Sequence, residues 1–169
     1  MNSRAIYWKF AYIASAMAVL LMDQASKAWA VKTLKFGGDK SIIPGFLNFA
    51  YATNTGAAFS LFAGNGQAGR LGLSIVAISA TAVVLYFFWR TPRDHDRLLG
   101  ALALLLAGIL GNVIDRLRMG FVVDFIDVQF GSWHYPTFNI ADIAICCGVF
   151  LLVVDMLFQK KELAAETAA

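Results

Sequence analysis

Acidic side chains beside apolar segments are the residues of this sequence that could carry out chemistry. Asp124 lies within the segment VVDF, and Asp142 lies near the start of a long apolar run. Two carboxyl groups held about 3 Å apart share one proton, because both cannot ionise easily. One can then act as general base on a water molecule while the other hydrogen-bonds the attacked carbonyl oxygen. Such a pair is suited to aspartyl peptide hydrolysis, which needs no metal or other cofactor.

The sequence lacks the motifs of several other kinds of site. It contains no GxSxG, no HExxH and no phosphate-binding glycine loop. His95 lies in a charged segment, and His134 lies among aromatic residues typical of a membrane interface. Cys146 and Cys147 are adjacent, and we expect them to pack within a helix without a metal. No basic stripe with interleaved aromatic residues is present, so nucleic acid is not an expected partner.

The composition predicts that these acids are carried by membrane-spanning helices. Of the 169 residues, 59% are hydrophobic and 15% are charged, whereas about a quarter are charged in an average soluble domain. The mean hydropathy is +0.65. About 17–25 apolar residues cross a bilayer as a helix. We predict an α-helical polytopic membrane protein, a single membrane domain over 1–169, with transmembrane helices at about 11–31, 71–89, 98–114 and 140–158.

Four spans place both chain termini on one side of the membrane. The loops 32–70 and 115–139 then lie on the other side. Lysine and arginine are densest in the short segments on the side of the termini, which predicts that this side is cytoplasmic. The strand-like stretches 41–54 and 121–130, with a Pro-Gly turn in the first, predict a small sheet or cradle on the outer membrane surface.

This topology gathers most of the polar groups near the outer ends of the helices. The members of this group are Asp23, Lys27, Asn54, Asn112, Asp115, Arg116, Asp124 and Asp142. Ionisable groups at membrane depth are costly and usually mark a functional site. In the inner half we expect Asp155 to pair with Gln159 or Lys160 as a structural contact.

Several of these residues also have a purely structural interpretation. Asp23 and Lys27 are spaced i,i+4 and can pair on one helix face. Asp115 could anchor a helix end, while Asn139 and Asp142 have the spacing of a helix N-cap. The residues alone leave three functions open: an aspartyl peptidase, a small transporter or proton-relay subunit, and a non-catalytic lipid-binding or assembly protein.

Five motifs, in order and over nearly the whole chain, resemble the bacterial lipoprotein signal peptidases (signal peptidase II). The motifs are Asp23-Gln24-Ala25-Ser26-Lys27, Asn54-Thr55-Gly56-Ala57-Ala58-Phe59-Ser60, Gly111-Asn112-Val113-Ile114-Asp115-Arg116, Val122-Val123-Asp124-Phe125 and Phe138-Asn139-Ile140-Ala141-Asp142. The resemblance implies an intramembrane aspartyl endopeptidase of the bacterial inner membrane. Such an enzyme removes the signal peptide from prolipoproteins, just before a cysteine that carries diacylglyceryl.

The resemblance also implies roles for individual residues. The expected catalytic pair is Asp124 and Asp142. The expected substrate-binding residues are Asn54, Gly56, Asn112, Arg116 and Asn139, and the expected supporting residues are Asp23, Lys27 and Asp115. The active site is expected to face the periplasm under a cradle or loop lid, with membrane lipids around the acyl chains. No metal is implied, and the cyclic peptide globomycin is the expected inhibitor.

Overall fold

The structure is a computed structural model that describes residues 8–56 and 66–167, with side chains described for 8–56 and 72–159. Its helices are α1 (Lys9–Thr33), α2 (Gly66–Arg90), α3 (Asp96–Met119) and α4 (Ile140–Thr167). Its strands are β1 (Lys40–Ile43), β2 (Leu47–Asn54), β3 (Val122–Phe130) and β4 (Trp133–His134). Residues 57–65, which include the end of the second motif, lie outside the described residues.

Helix α3 lies at the centre of the bundle and contacts the other three helices. Among the described residues, three helical segments are long and apolar enough to cross a membrane: Gly72–Arg90, Asp96–Met119 and Ile140–Gln159. The protein buries 67% of the most apolar window of α3, against 11% in α2 and 22% in α4. Helix α1 is 25 residues long, but the charges of Asp23 and Lys27 interrupt its apolar run. The count of four spans therefore stays a prediction.

Helix α3 is longer than its apolar run predicts. The run 98–114 stops at the first charged residue, whereas the helix continues to Met119. It ends at Gly120, whose φ of 83° places it in the left-handed region and whose N–H donates to the Arg116 carbonyl over 3.0 Å. Asp115 and Arg116 are thus helical residues, whereas the predicted boundary placed them at the start of a loop.

The predicted sheet is present as four antiparallel strands in the order β1-β2-β3-β4. The predicted turn is confirmed at Gly45, which has a φ of 74° and lies between β1 and β2. The sheet packs on the last turns of α1, where Ala30, Leu34, Val123 and Phe125 form a buried cluster. This contact fixes one end of α1 to the strand that carries Asp124.

The opposite end of the bundle is fixed by a different set of contacts. The ammonium group of Lys9 donates to the carbonyls of Phe88 over 2.6 Å and of Trp89 over 2.9 Å. These carbonyls belong to the last turn of α2 and have no partner within their own helix. The Tyr12 hydroxyl donates to Asp96 in the first turn of α3 over 2.8 Å. Helix α1 is thereby tied to α2 and α3 at this end.

Helix α4 packs on α3 through small residues, with Ala141 and Ala144 buried and Gly148 close to Leu105. The remaining sides of α4 face outwards, and Cys146 and Cys147 are exposed there as free thiols. The two cysteines thus lie within the last helix, as predicted, and on its outward side. They belong to the surface that a membrane would cover.

Candidate active site

A buried lysine between two carboxylates connects α1 to α3. The Lys27 ammonium lies 2.9 Å from Asp23 Oδ2 and 2.9 Å from Asp115 Oδ2, and its side chain is 3% exposed. The predicted i,i+4 pair of Asp23 and Lys27 is thus confirmed, and Asp115 is its third member. Charges at this depth are tolerated because each one has partners of opposite charge and further hydrogen bonds.

The same group of charges also reaches α4. Asp23 Oδ1 accepts a hydrogen bond from the Ala141 N–H over 2.8 Å, and Asp115 Oδ2 accepts one from the Val123 N–H over 3.2 Å.

Gln24 donates to the Gly111 carbonyl over 3.2 Å and to Asp115 Oδ1 over 3.1 Å. Gln24 belongs to the first motif, but no role was predicted for it from the sequence. Its position next to Asp23 in the sequence indicated that it lies near the site, but its contacts depend on how α1 crosses α3.

Asn112 carries the connection from this charge cluster to Asp142. Its Oδ1 accepts a hydrogen bond from the Lys27 ammonium over 3.0 Å, and its Nδ2 donates to Asp142 Oδ1 over 2.8 Å. Lysine can only donate, so the amide oxygen must face Lys27 and the amide nitrogen must face Asp142. The orientation of the Asn112 amide is therefore fixed by its partners.

Asn139 contacts both of the predicted catalytic carboxylates. Its Oδ1 accepts from the Asp142 N–H over 3.0 Å, while its own N–H donates to Asp142 Oδ2 over 3.1 Å. This reciprocal pair confirms the predicted helix cap at the start of α4. The Asn139 Nδ2 then donates to Asp124 Oδ1 over 2.6 Å. One asparagine thus holds two acids that come from different elements.

The path of the chain explains why Asp124 returns to this point. After Gly120 reverses the chain, β3 runs beside β2 with Asp124 opposite Ala52, next to a register shift between Phe49 and Ala52. Such a bulge changes the direction of the side chains near it. On the other side, the Phe138 carbonyl accepts from the Ile126 N–H over 2.9 Å, which holds the segment before α4 against β3.

The two carboxylates have different surroundings. Asp124 is 2% exposed, whereas Asp142 is partly buried. Burial, followed by the nearby charge of Asp142, raises the pKa of Asp124 from 3.8 to about 6, although hydrogen bonds from Asn139 and Asn54 and the charge of Lys27 oppose this shift. The charge of Asp142 is therefore close enough to influence the proton on Asp124.

Asn54 and Gly56 lie at the edge of this site, where β2 ends. The Gly56 N–H donates to Asn54 Oδ1 over 2.9 Å, and Gly56 has a φ of 79° that favours glycine. With its oxygen occupied in this way, the Asn54 amide hydrogen-bonds Asp124. The structure therefore brings Asn54 to the predicted catalytic group, and Gly56 shapes the turn beside it.

Arg116 has an unusual environment at the same end of α3. It is partly buried and lies within electrostatic reach of Asp142, Asp124 and Asp115. Within the part of the chain that the structure describes, its Nε is buried and has no hydrogen-bond partner. Because a buried unpaired donor is costly, this atom is available for a ligand acceptor.

All ten predicted site residues thus lie in one region, built from the last turns of α1 and α3, the start of α4 and strands β2 and β3. Three other polar residues lie outside it. His134 pairs with Asp127 over 2.8 Å on the sheet, and Asp155 accepts from Gln159 over 2.7 Å within α4, as predicted. His95 precedes α3 at the opposite end of the bundle.

Comparison with known proteins gives a consistent result. A family model described as signal peptidase II matches residues 15–158. The lipoprotein signal peptidase of Coxiella burnetii (strain RSA 493 / Nine Mile phase I) is 46% identical over 144 residues, which are 84% of this chain and 86% of that protein. The lipoprotein signal peptidase of Serratia proteamaculans (strain 568) is 42% identical over 139 residues, 82% of each chain.

The fold is also similar to a solved structure. A bacterial membrane enzyme determined by the in meso method superimposes with a TM-score of 0.78 and 34% sequence identity. The match covers 93% of this chain and 92% of that one. From the match over residues 15–158 and these similarities, the chain belongs to the signal peptidase II family and is a multi-pass membrane protease of the aspartic class.

Proposed function

We propose that this enzyme removes the signal peptide from diacylglyceryl-modified prolipoproteins, cutting just before the lipid-modified cysteine, with Asp124 and Asp142 as its catalytic dyad. One observation carries the proposal: Asn139 hydrogen-bonds both carboxyl groups, which arrive from a strand and from a helix start. The names of the related proteins support the class of substrate.

The chemistry of the dyad follows from its shared proton. One carboxylate takes a proton from a water molecule as the water oxygen attacks the scissile carbonyl carbon. The other carboxyl group donates to the carbonyl oxygen, so that no full negative charge develops there. The partial exposure of Asp142 gives water access to the pair, while Asp124 lies in the protein interior.

The contacts in the site divide the predicted substrate-binding residues into two groups. Asn112 is 8% exposed and Asn139 is 0% exposed, and their amides already hold the two carboxylates. We propose that these two residues position the dyad and do not bind the substrate directly. Arg116, whose Nε has no protein partner in the described residues, is the proposed donor to a substrate carbonyl. Asn54 and Gly56 border the same opening.

The membrane placement is part of the proposal. We treat residues 1–169 as a single domain with four spans in the bacterial inner membrane, with both termini cytoplasmic and the site on the periplasmic face. A lipid-modified cysteine is held at the membrane surface by its acyl chains, so the peptide bond before it lies at interfacial depth. The sheet would then form a cradle beside the extended peptide.

A reconstituted assay tests this function. The enzyme in liposomes is mixed with a diacylglyceryl-modified prolipoprotein, and release of the signal peptide is followed on a gel. We expect cleavage of the modified substrate, no cleavage of the same precursor without lipid, and inhibition by globomycin. If the modified precursor stays intact, or if unmodified precursor is cut equally well, the proposed substrate is wrong.

A further inference from the structure

The two carboxyl groups of the proposed dyad accept hydrogen bonds from different sets of donor atoms. Asp142 is linked through Asn112 to the ammonium of Lys27, with distances of 3.0 Å and 2.8 Å along the relay. Each step has a fixed direction because lysine only donates, so Asp142 Oδ1 must accept. The relay therefore presents an N–H to Asp142 and cannot receive a proton from it.

The second oxygen of Asp142 also faces a donor. Asp142 Oδ2 accepts from the backbone N–H of Asn139 over 3.1 Å, and Asp142 lies in the first turn of α4. The aligned peptide dipoles at a helix start favour negative charge. Both oxygens of Asp142 thus accept from groups that cannot accept in return, which favours the ionised form of this side chain.

Asp124 has a less favourable setting for a negative charge. It is 2% exposed and lies on a strand, so it is not itself part of a first helical turn as Asp142 is. The charged and polar groups that face it from the surrounding elements are Lys27 of α1, Asn54 of β2, Asp115 and Arg116 of α3, and Asn139 and Asp142 at the start of α4. Asp142 adds a second negative charge next to a carboxyl group that is already removed from water, which favours the protonated form of Asp124.

From this geometry, and resting on the dyad of the proposed function, we infer that Asp142 is the ionised general base and Asp124 is the protonated acid, with Lys27 and Asn112 as positioning residues that hold Asp142 in its ionised form.

The reaction balances with these roles. Asp142 takes a proton from water as the water oxygen bonds to the scissile carbon, and Asp124 gives its proton to the carbonyl oxygen. This forms a gem-diol, with Asp142 protonated and Asp124 ionised. As the C–N bond breaks, Asp142 gives its proton to the departing nitrogen. Asp124 recovers a proton from a gem-diol hydroxyl, and the dyad returns to its starting state.

Infrared difference spectroscopy of the substrate-free enzyme tests the assignment. A protonated buried carboxyl group has a C=O stretch that disappears when it ionises. We expect this band in the parent, disappearing as the pH rises through about 6, the value to which the pKa of Asp124 is raised. Asp124→Asn should abolish the band. Asp142→Asn should keep it, with a midpoint at lower pH, because the neighbouring negative charge is gone.

Asp127→Asn is the matched control on the same strand. Burial raises the pKa of Asp127, but hydrogen bonds from His134 and Asn48 outweigh it and hold that pKa below its usual range. Asp127 is therefore ionised in this pH range and its replacement should leave the band unchanged. A band that survives in Asp124→Asn, or that is lost in Asp142→Asn, overturns the assignment.

The positioning role has a separate kinetic readout. Asn112→Ala removes the donor to Asp142, so we expect kcat to fall by about tenfold or more while KM stays within about twofold. An unchanged kcat, or a loss confined to KM, contradicts the relay. If the parent enzyme cleaves no lipoprotein at all, the proposed function fails, whereas the infrared result is obtained without substrate and stands independently.

Discussion

The side-chain amide of Asn139 donates a 2.6 Å hydrogen bond to Asp124, a residue that lies fifteen positions earlier in the chain. The same asparagine caps α4 by accepting from the Asp142 N–H. A helix cap and a catalytic contact are therefore made by different atoms of one side chain. This allows the two contributions to be separated by substitution.

Asn139→Ser should separate them. Serine is a good N-cap, so the start of α4 should be kept, and the lost amide contacts to Val123 and Asp124 should cost about 1–3 kcal/mol of unfolding free energy. Serine cannot reach Asp124 with an amide donor, so kcat should fall by about a hundredfold, within the range that acid–base positioning supplies. Thermal unfolding in detergent and the cleavage assay measure the two effects. A stable variant with full activity would show that the contact between Asn139 and Asp124 has no catalytic role.

Lys27→Met should destabilise the fold strongly. It leaves the buried carboxylates of Asp23 and Asp115 facing each other without a cation, and removing one partner from a buried ion pair costs about 3–5 kcal/mol. Lys32→Met is the control, since Lys32 is exposed on the same helix and should tolerate the change. Equal unfolding temperatures for the two variants would contradict the structural role of Lys27.

Gly111→Ala should disrupt the contact between α1, α3 and α4. A Cβ at position 111 would lie 2.6 Å from Asp23 Oδ2 and 3.0 Å from the Ala141 Cβ, so neighbouring elements would have to move. A Cβ at Gly100, in the same helix, meets nothing within 4 Å. We therefore expect Gly111→Ala to lose stability by about 1–3 kcal/mol, as overpacking usually does, and to lose activity. Gly100→Ala should be neutral or slightly stabilising, because alanine favours helix.

The pH dependence of stability should report Asp124. Its pKa is raised by burial and by Asp142 from 3.8 in the unfolded chain to about 6 in the folded protein. The folded state therefore binds this proton more tightly. The resulting stabilisation is fully present below pH 3.8 and is lost as the pH rises through about 6. Between about pH 4 and pH 7 the free energy of unfolding of the parent should fall by roughly 1–3 kcal/mol more than that of Asp124→Asn, which lacks this group. Parallel curves for the two proteins would contradict the raised pKa.

Local sequence patterns predicted the parts of the site that lie on one element. Asp23 and Lys27 are one helical turn apart, and Asn139 and Asp142 have cap spacing, so both pairs follow from backbone geometry alone. The apolar runs and the turn before Phe46 likewise indicated the helices and the sheet.

Contacts between elements could not be predicted in the same way. The relay from Lys27 through Asn112 depends on how α1 and α3 are rotated against each other, which no single periodicity encodes. The continuation of α3 from residue 114 to Met119 was missed because the apolar run ends before the helical hydrogen bonding does. The inward and outward sides of α4 could not be predicted either because, in a membrane protein, apolar side chains face lipid as readily as core.

Cleavage of a diacylglyceryl-modified prolipoprotein by matched variants tests most directly whether Asp124 and Asp142 carry out peptide hydrolysis. Asp124→Asn and Asp142→Asn should each lower kcat by at least about a hundredfold while the fold and the capped helix are kept. Asp127→Asn, on the same strand as Asp124 but paired with His134, should cleave at nearly the parent rate. If either dyad variant retains the parent rate, or if Asp127→Asn is equally inactive, the assignment of the active site is contradicted.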